Sequence, residues 1–84
     1  MALFSNRVQL HIALRVIRRK HADHKADIDA ALGNSDLMAA LQGALEEAKA
    51  ELSGGPVMDF LDWLLAHADD ILSLILKLLP LFTN

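Results

Sequence analysis

The chain has 84 residues, of which 54% are hydrophobic, with a net charge of −3 and no cysteine. That length allows one domain at most, and a folded chain so short hides only about 60–65% of its unfolded surface. The lack of cysteine excludes disulfides, thiolate zinc sites and thiol catalysis, so stability has to come from helix packing, a partner or a bound ligand.

The charges are segregated along the chain. Residues 1–25 carry six cations against Asp23 alone, a balance of +5, whereas residues 26–84 carry Lys49 and Lys77 against ten acids, a balance of −8. A chain polarised in this way can bind polyanions at its basic end or pair with itself through unlike ends. "MALFSN" is followed by no apolar h-region, because Arg7, His11 and Arg15 interrupt it, so no leader is expected and the chain reads as cytoplasmic. Turn residues cluster only in "LGNSD" at 32–36 and "SGGP" at 53–56, dividing one helical domain over 1–84 into segments 5–32, 36–52 and 57–79. The tripeptide "HAD" at 21–23 recurs at 67–69 between unlike neighbours and reads as coincidence.

In the first segment "VQLHIALRV" alternates apolar and polar residues as a half-buried strand would. No second strand-like stretch exists to pair with it, and a lone strand leaves its backbone groups unsatisfied. A helix over 5–32 accounts for more residues. Leu3, Leu10, Leu14, Ile17, Ile28 and Ala31 form one stripe at spacings of three and four, and Phe4, Val8, Ile12 and Val16 form a second. Between them Arg7, His11, Arg15, Arg18 and Lys25 make a narrow basic strip.

The middle segment, 36–52, is an amphipathic helix. Ser35 or Asn34 can accept from its first free N–H groups, and Asp36 suits its positive end. Leu37, Leu41, Ala44, Leu45, Ala48 and Leu52 form one apolar stripe, Glu46, Glu47, Lys49 and Glu51 face away, and Gly54-Gly55 ends it.

The third segment, 57–79, opens with Pro56 at a favourable first helical position. At about 100° per residue, Asp59, Asp62, Asp69, Asp70, Ser73 and Lys77 share one strip about 100° wide, with apolar residues over most of the remaining arc. Such a helix does not span a bilayer, since each mid-helix Asp costs roughly 2.5–3.5 kcal/mol on insertion. Its aspartates also disfavour an anionic membrane surface, where interfacial helices carry Lys and Arg. Membrane-surface association is therefore a third choice.

Motifs that carry chemistry are sparse. No Walker-type, dinucleotide or nucleophile-elbow pattern is present, and His67 beside Asp69 and Asp70 is better explained by solvation than by catalysis. No enzymatic activity and no cofactor are expected. His21 and His24, three residues apart with Asp23 and Asp27 nearby, are weak candidates for a metal site, against the simpler expectation that the helix kinks or reaches solvent near residue 20. "RVIRRKHADHK" offers Arg15, Arg18, Arg19 and Lys20 to phosphates, with no aromatic residue among them for stacking.

The sequence therefore predicts an all-α, three-helix small bundle completed by self-association. Its expected role is a non-catalytic interaction, structural or accessory protein, forming a dimer or higher homo-oligomer or meeting a protein partner. Trp63, Leu74, Leu78 and Phe82 are the candidate interface residues. The alternative is an accessory protein that binds nucleic acid through the basic first helix.

Overall fold

A computed structural model of the chain describes residues 5–52 and 59–82. The expected placements of Leu3, Phe4, Gly54-Gly55 and Pro56 lie outside them, as does the side chain of Leu52. The described residues hold helices α1 (Asn6–Lys20), α2 (Lys25–Leu32), α3 (Ser35–Leu52), α4 (Phe60–Ala66) and α5 (Ala68–Phe82), with a 3-10 turn at Ala22–His24 and no strand. The all-α class stands. The count of three helices does not, because the first and third segments each break once.

α1 starts where Ser5 accepts at its Oγ from the Val8 N–H at 3.3 Å. It stops at His21, whose φ of −122° and ψ of 68° leave the helical region while its N–H still reaches the Ile17 carbonyl at 2.8 Å. Arg18, Arg19 and Lys20 occupy the last turn, beside the negative helix end. The chain then folds back. Arg18 and Asp29, eleven residues apart, form a two-pronged ion pair at 2.7 and 3.2 Å, whereas a straight helix would hold their backbones about 16 Å apart.

Length explains the break better than local propensity. An unbroken helix over 5–32 would run about 42 Å, longer than the 39 Å greatest extent of the molecule. Ile28 and Ala31 would then lie beyond the core, whereas the fold-back buries both completely.

α3 begins with Asn34, whose Oδ1 accepts from the Leu37 N–H at 3.0 Å, with Asp36 in the first turn. The residues buried on α3 are Leu37, Met38, Leu41 and Leu45, while Ala44 and Ala48 are half-buried at the edge of that stripe. Glu46 is half-buried rather than turned away, and accepts from Asn6 at 2.6 Å and from Gln42 at 3.2 Å.

The third segment breaks at His67, with φ of −118° and ψ of 38°. Its N–H is shared between the Trp63 and Leu64 carbonyls at 3.1 Å, and α5 follows at once. Despite the break, Asp59, Asp62, Asp69, Asp70, Ser73 and Lys77 are all exposed, as the strip predicts.

α1 packs chiefly on α4, and α2 and α3 chiefly on α5. Near the start of both α1 and α4, the Gln9 Oε1 accepts from the Leu61 N–H at 2.8 Å. At their far ends, Lys20 and His21 share a cleft with residues 65–70. The two helices therefore run in the same direction. The ends of α2 and α5 also meet, where the Asn34 Nδ2 donates to the Phe82 carbonyl at 3.2 Å. Two bent arms, α1–α2 and α4–α5, thus lie side by side with their breaks at one level, and α3 packs on the second arm.

The core closes within one chain. Leu10, Leu14, Leu41, Leu45, Leu64, Ile71 and Ile75 are all sealed from solvent in a single copy, so it needs no second copy for completion. The second stripe expected on the first helix is outside this core, with Val8 exposed and Ile12 and Val16 half-buried. Trp63, 3% exposed, is part of the core and offers no surface to a partner.

Candidate functional site

Three surface features carry the residues that the sequence singles out. The first is the outer flank of α5. Ile71, Leu72 and Ile75 are buried, and Leu74 and Leu78 are half-buried against the core. One turn beyond Leu78 the same apolar row runs into solvent at Leu81, 75% exposed, with Phe82 beside it at 37%. Pro80 lies inside this helix, and the Asn34 amide holds the helix end through the Phe82 carbonyl. Leu76 is 45% exposed on the opposite flank.

The second is a depression of about 310 Å³ between α1 and α2, lined by Arg15, Arg18, Arg19, Asp29 and Leu32. Arg15 and Arg19 are exposed, one helical turn apart. Arg18 is held by Asp29, so one of the expected polyanion contacts is already engaged within the chain. Lys20 turns toward a different cleft.

The third is that cleft, of about 480 Å³, where the two breaks meet and which contains Lys20, His21, His67, Asp69 and Asp70. His67 stacks on Trp63 with ring centroids 4.3 Å apart and planes 23° from parallel. Its Nδ1 lies 2.8 Å from the Trp63 carbonyl oxygen, an acceptor, so the ring N–H donates there. That proton is committed to backbone rather than to Asp69 or Asp70, and the arrangement is not a base oriented by a carboxylate.

His21 and His24 are separated by the turn rather than stacked on one helix face. His21 closes α1, and His24 lies 3.5 Å from the Asp27 carboxylate. Among the described residues no three His, Asp or Glu side chains converge as a set of metal ligands. Nor is any described helix long and apolar enough to cross a membrane.

No family model, curated protein or solved structure matches the chain. Its sites therefore rest on their own geometry. That His21 and His67 line one cleft does not follow from the sequence, and its one trace there is the repeated "HAD". In both copies the histidine sits at the break, the alanine opens the next helical segment, and the aspartate stands in that segment's first turn.

Proposed function

We propose that the chain is a small, non-catalytic helical protein that associates with copies of itself through the outer flank of α5. The observation that carries this is the continuation of the α5 apolar row past the core, from half-buried Leu74 and Leu78 to exposed Leu81 and Phe82. Removing a leucine or phenylalanine side chain from water contributes about 1.5–3 kcal/mol when burial is complete. In a two-fold pair each copy supplies the same patch once, so Leu81 and Phe82 of both copies, four side chains, become covered at once. Asp69, Asp70, Ser73 and Lys77 remain on a separate exposed strip, available as a polar rim.

Sedimentation of the wild type and of Leu81→Asp tests the proposal. Leu81 is mostly outside the core, so the variant keeps its helicity while introducing a charge that cannot be buried unpaired. The wild type is expected to sediment as a dimer or larger, and the variant as a folded single chain. Equal, monomeric masses for both at high micromolar concentration refute the association.

A further inference from the structure

We propose that the depression between α1 and α2 binds phosphate, either the phosphodiesters of a nucleic-acid backbone or a free phosphate monoester. Three guanidinium groups, from Arg15, Arg18 and Arg19, line it, and Asp29 on α2 is the one carboxylate among its lining residues. The group therefore carries a net +2, which one phosphate-monoester dianion or two successive phosphodiesters neutralise and a single carboxylate does not.

Asp29 does more than offset charge. It takes the Nε and Nη2 edge of Arg18 at 2.7 and 3.2 Å, fixing the plane of that guanidinium and leaving its remaining N–H groups uncommitted. An arginine ordered in advance loses less freedom when a ligand arrives. Arg15 and Arg19 flank it, both exposed, and neither has an ion-pair or hydrogen-bond partner among the described residues. The negative end of α1 accounts for cations in its last turn. It does not account for arginine at Arg15, a turn earlier, or for the choice of planar donors, which fit phosphate oxygens in pairs. Half-buried Leu32 supplies an apolar wall beside the charged groups.

The test is a titration of isotope-labelled protein with inorganic phosphate, and separately with a short single-stranded oligonucleotide, followed through the arginine Nε–H resonances. The site gives saturable shifts at Arg15, Arg18 and Arg19. Affinity falls about tenfold or more in the Arg15→Gln, Arg19→Gln double variant, which loses two charge-assisted contacts. Lys77→Gln, exposed on α5, leaves the shifts unchanged. Circular dichroism checks that the helices persist, and a parallel titration in Leu81→Asp separates the result from the state of association. Oligonucleotide binding that is tighter than phosphate binding and weakens steeply with salt identifies nucleic acid as the source. Comparable affinities identify a free phosphate monoester. Shifts that do not saturate, or that survive in the double variant, overturn the proposal.

Discussion

At the scale of single residues, Gln9 is the polar side chain on which most depends. It is 4% exposed, and its Oε1 satisfies the Leu61 N–H in the first turn of α4. Asp59 occupies the capping position of that helix without a side-chain hydrogen bond, so Gln9, 52 positions before Leu61, performs part of the cap. Gln9→Leu is expected to lower stability by about 1–2 kcal/mol, the cost of an unmet donor or a lost cap, as measured by urea unfolding. The Arg18–Asp29 pair is conspicuous in the geometry and weaker in energy. Its side chains remain 35% and 48% exposed, so Asp29→Asn should cost less than about 1 kcal/mol. Repeating the unfolding in concentrated salt should shrink that difference further.

At the scale of elements, α5 has two parts of unlike character, which a pair of substitutions separates. Ile75→Ala opens a void in a fully buried position and is expected to cost about 2–4 kcal/mol. Leu81→Ala, at a position largely in solvent, should change the stability of a single chain by less than about 0.5 kcal/mol. Thermal or urea unfolding of dilute samples distinguishes the two. The same helix shows what the sequence made legible. Its polar strip follows from spacing and stays exposed, and of Ser35 and Asn34, both suited by type to cap α3, Asn34 takes the role. The break at His67 could not be found that way, since no glycine or proline stands there, whereas a kink near residue 20 is among the expectations from the sequence. The position of the break at His21 reflects how much helix fits across a small core, a constraint that belongs to the assembled chain. For the same reason the depression at Arg15, Arg18 and Arg19 was visible as a basic run, whereas Asp29, which orders one of its arginines, was not.

At the scale of the whole molecule, the radius of gyration is 12.3 Å, against about 12 Å for a compact chain of 84 residues. The proposed self-association would therefore extend a fold that is already closed, and Leu81→Asp should remain folded rather than collapse. The packing order of the arms also bears on how the protein is made. α1 meets its main partner only in α4, and α2 meets its own only in α5. A nascent chain that ends at residue 52 leaves Leu10, Leu14, Ile17, Ile28, Leu41 and Leu45 only partly covered, because their main partners α4 and α5 are not yet synthesised. A fragment of residues 1–52 should therefore show reduced helix by circular dichroism and should aggregate, while an added peptide of residues 59–84 should restore the native spectrum. At about 5–20 residues per second of translation, the ribosome needs about 1.5–6 s to supply residues 53–82. For that interval the unfinished chain is a client for any chaperone that holds exposed leucines.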